Sequence, residues 1–166
     1  MKITKIRDLQ GAKSVQVSKK VFIVHGRNES IREQTARLVS KLGYEPIILH
    51  EQPNSGRTII EKFEKNSQVV FSIVLLTGDD KGGLIDTDCS KYQARARQNV
   101  ILELGFFLGS LGRENVCALY ESGVEIPSDY QGVVFLPIDD SGAWKLSLAK
   151  EMKEAGLNID LNKVLL

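Results

Sequence analysis

An α/β fold with a five-stranded parallel sheet, doubly wound in the flavodoxin-like order 2-1-3-4-5, follows from three features of this sequence. Short runs of β-branched, aliphatic and aromatic residues alternate with segments of helical period. Two of these runs, residues 20–24 (KVFIV) and 69–76 (VVFSIVLL), are apolar without alternation, as in strands covered on both faces. Strands that alternate with helices need crossover connections, which are right-handed and leave few topologies open. The 166 residues, 42% hydrophobic and 26% charged, suit one compact domain over residues 20–166. Residues 1–19 are polar and weakly patterned and read as a linker or extension.

The first strand, residues 20–24, breaks at His25-Gly26-Arg27-Asn28-Glu29-Ser30, where Asn28 can cap the next helix. That helix places Ile31, Thr35, Leu38, Val39 and Leu42 on one face and ends at Gly43. Residues 45–49 form a second strand, with Pro46 near its start, which suits an edge. Residues 50–57 (HEQPNSGR) read as a loop, and Thr58 opens a short helix with Ile59, Ile60 and Phe63. Residues 69–76 are the central strand and end in Thr77-Gly78-Asp79-Asp80. Residues 81–93 are polar and Gly-rich at their start, and read as a long functional or mobile loop. Residues 115–120 and 133–138 supply strands four and five around a loop at 123–132, which contains Pro127 and Tyr130. The final helix, residues 143–155, offers Trp144, Leu146, Leu148 and Met152 for docking.

Between strands three and four lies the most informative stretch, residues 96–109 (ARQNVILELGFFLG), a helix that stops at Gly112. Val100, Leu104, Phe107, Leu108 and Leu111 form its widest apolar stripe, and Ile101, Leu102 and Phe106 spread apolar character around it. Both sides of this helix are therefore expected to be covered. One carboxylate, Glu103, interrupts the run, with Asn99 and Phe107 one turn away on the same face. An ionised carboxylate there needs a partner or a wet cleft, since its desolvation costs several kcal/mol.

Composition excludes several classes. A net charge of +1 supplies no global field for nucleic acid or an anionic membrane. Cys89 and Cys117 give no disulfide framework and fit a reducing cytoplasm. No apolar run reaches the roughly 20 residues that span a bilayer, and the start of the chain lacks a secretory pattern. There is no G-x-G-x-x-G, no P-loop and no G-x-S-x-G. His25, His50, Cys89 and Cys117 match no zinc spacing, so no metal site is expected.

The predicted winding reverses between strands one and three, so ligands should bind beyond their carboxyl ends. These ends are His25-Gly26-Arg27-Asn28 and Thr77-Gly78-Asp79-Asp80, and the polar first turn of the Glu103 helix, with Arg97 and Asn99, points to the same edge. His25 either orients a ligand or fills a turn. Asp79 and Asp80 hold a ribose or magnesium, or form a solvated turn. Arg27 and Arg57 each hold a phosphate or sit at the surface. A single carboxylate suits cleavage of an N-glycosidic bond, which passes through an oxocarbenium-like sugar. Nicotinamide in NAD is already cationic and leaves without needing a proton.

Several long motifs occur in order: VFIVHGRNE, EPIILHEQPNSGRTIIEKF, FSIVLLTGDD, ARQNVILELGFFLGSLGRENVCALY, GVEIPSDYQGVVFLPID and AWKLSLAKEMKEAGLNIDLNK. On these, residues 21–161 resemble TIR domains, specifically the bacterial TIR-like nucleotide-binding family. The resemblance implies that Glu103, on the helix after the third strand, carries NAD-cleaving activity. NAD would be the substrate, with no separate cofactor. His25, Gly26, Arg27, Asp79, Asp80 and Arg97 would line the nucleotide cleft, and Asn99 would position Glu103 or the ribose. Ser55-Gly56-Arg57 resembles the loop after the second strand that gates the site and mediates assembly. The chain departs from the family in Gly26-Arg27-Asn28, where a Gly-His-Asp-like turn is expected, and in Thr77-Gly78-Asp79-Asp80, where Thr-Pro-Asp-Asp is expected. The resemblance implies a cytoplasmic, self-associating effector of antiviral defence, coupled to a sensor domain or protein outside this chain. Two other readings stay open: a non-enzymatic TIR scaffold, and a nucleoside deoxyribosyltransferase.

Overall fold

The computed structural model describes residues 18–48, 69–128 and 132–165. The expected loop at 50–57 and the helix at Thr58 lie outside these residues. Strand β1 (Lys20–Val24) leads into helix α1 (Glu29–Lys41), then β2 (Glu45–Ile48). β3 (Val69–Leu76) is followed by two short strands, β4 (Asp80–Gly82) and β5 (Gln93–Arg95), and by helix α2 (Gln98–Leu111). β6 (Val116–Tyr120), β7 (Val124–Glu125) and β8 (Val134–Pro137) precede helices α3 (Trp144–Glu154) and α4 (Asn162–Leu165).

The main sheet is parallel throughout, in the order β2-β1-β3-β6-β8. This is the expected 2-1-3-4-5 winding once the three short strands are counted apart. Side chains alternate along each strand, so one strand feeds both cores. Val21, Ile23, Phe71, Ile73, Leu75 and Leu119 join α1 and α3 on one face. Phe22, Val24, Val74, Leu76 and Ala118 meet α2 on the other. The Phe22 and Phe107 rings lie 5.0 Å apart at 44°, a tilted pair across the second core. Both outer strands carry a proline, Pro46 in β2 and Pro137 in β8.

Local chemistry explains the element ends. Asn28 caps α1 by accepting the Ile31 N–H at 3.2 Å. Gly43, at φ 90°, follows the last turn in the left-handed conformation that glycine tolerates. Asp139 accepts the N–H groups of Ala143 (3.0 Å) and Trp144 (2.8 Å) and the Ser141 hydroxyl, which anchors the start of α3. Trp144, Leu148 and Met152 then dock α3, with Leu146 half-buried.

Three expectations are corrected. Residues 81–93 are not one structureless loop: β4 pairs antiparallel with β5, β5 pairs parallel with β7, and a 3-10 turn at Cys89–Lys91 sits between β4 and β5. Backbone groups at the sheet edge find partners there that a bare loop would leave to water. The loop expected at 123–132 likewise contains β7. Finally, α2 is not covered on all sides. Val100, Leu104 and Phe107 are buried, while Leu102 is 67% exposed, because α2 faces the sheet on one side and solvent on the other. Smaller shifts occur at strand four, which starts at Val116 after a 3-10 turn (Arg113–Asn115), and at strand five.

Two measurements check this packing. Cys117 is buried, and burial first, then the Glu151 charge, pushes its thiol up to about 12; Cys89 is exposed. A thiol reagent should label Cys89 in the native protein and Cys117 only after denaturation. The hydrogen bonds to Asp139, from Ser141 foremost, hold its carboxyl at about 2, below the usual value near 4. A depressed folded value stabilises the fold above the unfolded value and is lost as pH falls. Asp139→Ala should therefore melt lower than wild type at pH 7, with the gap closing as pH drops from about 4 to about 2.

Candidate functional site

The carboxyl ends of β1, β3 and β6 meet at one edge of the sheet, and two carboxylates tie them together. Asp79 Oδ2 accepts the Arg27 backbone N–H at 3.0 Å and the Thr77 hydroxyl at 2.9 Å. Glu121, just beyond β6, accepts the Asn28 side-chain amide at 2.6 Å on one oxygen and the Gly78 N–H at 2.9 Å on the other. Its own N–H donates to the Leu76 carbonyl at 3.1 Å. These donors are backbone, hydroxyl or amide groups, so they bind the carboxylates without neutralising them.

Gly26 is needed where it stands. A Cβ there would overlap the Asp79 carboxylate and come within 3.1 Å of the Thr77 hydroxyl. The turn after β1 is thus folded directly onto the turn after β3. His25 is 8% exposed, and its Nδ1 lies 2.8 Å from the Gly26 carbonyl. A carbonyl only accepts, so Nδ1 carries the proton.

α2 enters this edge after β5. Arg97 stands at its N-cap, no side chain caps the first turn, and no acidic residue lies in that turn. The N–H groups without a side-chain cap and the helix dipole make this end favourable to an anion. Asn99 is exposed in the first turn. Glu103 falls on the stripe of Val100, Leu104 and Phe107 that packs against the sheet, yet it is half-buried where they are buried.

Of the residues singled out from sequence, His25, Gly26, Arg27 and Asp79 come together at the β1–β3 crevice. Asp80 turns away into β4, opposite Arg95. Arg97, Asn99 and Glu103 share the first two turns of α2. Ser55, Gly56 and Arg57 lie outside the described residues. Glu121 was missed, as were the Thr77 hydroxyl's bond to Asp79 and the second role of Asn28. The signal was present, since Glu121 directly follows a strand that must end at the same edge. Among the described residues no group of three or more His, Cys, Asp or Glu side chains is placed to hold a metal ion, and no helix is long and apolar enough to cross a membrane.

A cavity of about 680 Å³ opens at the opposite, amino-terminal edge, among Tyr44, Val69, Leu111, Asn115, Leu157 and Asn158. The Tyr44 hydroxyl there already accepts the Asn158 N–H at 2.8 Å. Carboxylates, arginines and an open helix start are gathered at the carboxyl edge instead, which makes that edge the candidate site.

Comparison with known proteins adds to this geometry. Residues 20–140 match the family model described as the CAP12/Pycsar effector protein TIR domain. The chain is 47% identical to protein YuaY of Escherichia coli (strain K12) over 150 residues, 90% of this chain and 50% of YuaY. It is 40% identical to protein tirC of Dictyostelium discoideum over 126 residues, 70% of this chain and 63% of tirC. It is 35% identical to Pycsar effector protein BcPycTIR of Burkholderia cepacia over 72 residues, 42% of this chain and 22% of that protein. The chain thus spans between half and two thirds of the length of YuaY and tirC.

The Glu121 contacts generate one test. Asn28→Asp keeps an acceptor for the α1 cap but sets a carboxylate against Glu121. It should cost about 1–3 kcal/mol in denaturant unfolding at pH 7. Like charges raise the folded pKa of the pair, so the deficit should shrink as pH falls and one carboxyl takes a proton. Asn28→Ser, which keeps the cap without the charge, should show no such pH dependence.

Proposed function

The chain belongs to the CAP12/Pycsar effector TIR-domain family, and from that premise we propose that it cleaves the nicotinamide–ribose bond of NAD. The observation that carries the reading is Glu103: a half-buried carboxylate on the packing stripe of α2, in the second turn of a helix whose start favours anions. In the reaction, the bonding pair leaves with the nicotinamide ring nitrogen, which becomes neutral. Positive charge develops on the ribosyl carbon. The Glu103 carboxylate stabilises that cation or bonds to it. Water then adds and releases a proton to give ADP-ribose, or an internal nucleophile adds to give a cyclic ADP-ribose.

Gly26, Arg27 and Asp79 line the nucleotide cleft in this reading, with Asp80 at its rim in β4 and Arg97 and Asn99 at its far wall. His25 supports the turn after β1 from within, since its Nδ1 donates to Gly26. Self-association accompanies catalysis. It is supported by the exposed Leu84, Ile85 and Leu102, three apolar side chains left in water by the single chain. The greater length of the relatives supports a sensor domain or partner outside this sequence. The biological setting proposed is an antiviral effector acting in the cytoplasm, which suits one exposed and one buried free thiol.

Concentrated or artificially clustered protein incubated with NAD should release nicotinamide, detectable by chromatography. Glu103→Gln, which keeps the side-chain shape, should lower the rate by about 100-fold or more. Nicotinamide release at the wild-type rate from that variant would reject the assignment.

A further inference from the structure

Glu121 is a half-buried carboxylate with an unusual reach. In the main sheet β1 and β6 lie on either side of β3, so their tips are about 10 Å apart. Glu121 follows β6, yet its side chain crosses the end of β3 to meet Asn28 beyond β1. Its other oxygen takes the Gly78 N–H on the way. Its own N–H is held by the Leu76 carbonyl, in continuation of the Leu76–Tyr120 register. Both turns are therefore tied to a point fixed by a third strand.

Each turn carries a residue that faces the crevice: Arg27 precedes Asn28, and Asp79 follows Gly78. The bonding pattern also demands a carboxylate at position 121. Asn28 Oδ1 is engaged by the Ile31 N–H at 3.2 Å, so the amide must turn its NH2 toward Glu121. Gly78 presents an N–H as well. Two donors at separate oxygens need two acceptors. A glutamine offers one oxygen and one NH2, so one donor would face another. Exchanging the pair, Asn28→Asp with Glu121→Gln, repairs this. The new carboxylate keeps an acceptor for Ile31 and takes the glutamine NH2, and the glutamine oxygen remains for Gly78. The formal charge is unchanged.

We propose that Glu121 is a positioning residue for the nucleotide crevice: it holds the turns after β1 and β3 at a fixed separation, and so sets where Arg27 and Asp79 meet a bound nucleotide. The proposal rests on the reading of this crevice as a nucleotide site. ADP-ribose affinity tests it, measured by calorimetry on the whole chain at a temperature where the variant is folded. Glu121→Gln should weaken binding about 10-fold or more. Asn28→Ser, which keeps the α1 cap and drops only the link to Glu121, should weaken it by about 3- to 10-fold and serves where Glu121→Gln does not fold. The paired exchange should restore affinity to within about threefold of wild type. Asp139 lies beyond the outer strand β8, and Asp139→Ala should melt lower yet bind ADP-ribose as wild type does. Unchanged affinity in Asn28→Ser and Glu121→Gln would overturn the proposal while sparing the nucleotide reading. So would a paired exchange that recovers the melting temperature but not the affinity, or an equal loss of affinity in Asp139→Ala. A wild type that binds no ADP-ribose would reject the nucleotide reading itself, and the proposal with it.

Discussion

The carboxyl edge of this sheet depends on two carboxylates that accept hydrogen bonds from neutral groups. Backbone N–H groups beyond a strand end have lost their sheet partners and need acceptors. Asp79 and Glu121 supply them for Arg27 and Gly78, and each reaches a different strand tip in doing so. The donors in these contacts are all neutral, so the strand tips are tied together without an ion pair. The bareness of Gly26 follows from the same constraint, since the Asp79 carboxylate occupies the space of a side chain. A site built on loops thus acquires the fixed geometry that catalysis or recognition requires.

α2 starts at the same edge. Its buried stripe of Val100, Leu104 and Phe107 secures the helix on the second core, and Glu103 shares that stripe without sharing its burial. A carboxylate on the packing side of a helix is tolerated where the packing stops. The helix start is open, its N-cap is an arginine, and the strand before it holds another arginine with an unsatisfied N–H.

The main sheet was legible because its strands signal themselves locally. KVFIV and VVFSIVLL are apolar without alternation, and the Asn28 cap and Gly43 stop bracket α1. β4, β5 and β7 were not, since two or three residues carry no periodicity and their pairing is set by contacts across the chain. α2 misled in one respect: apolar composition counts residues, not neighbours, and Leu102 is left mostly exposed. His25, Gly26, Arg27 and Asp79 were placed by the winding rule alone. Glu121 escaped because its role depends on the β3–β6 register, in which Leu76 pairs with Tyr120.

The prolines in the two outer strands have a consequence for the rims of the main sheet. Pro46 and Pro137 have no backbone N–H, so each rim of the main sheet lacks a donor that an incoming strand would need. The sheet is thereby guarded against lengthening from one molecule into the next, the route that leads to fibrous aggregates.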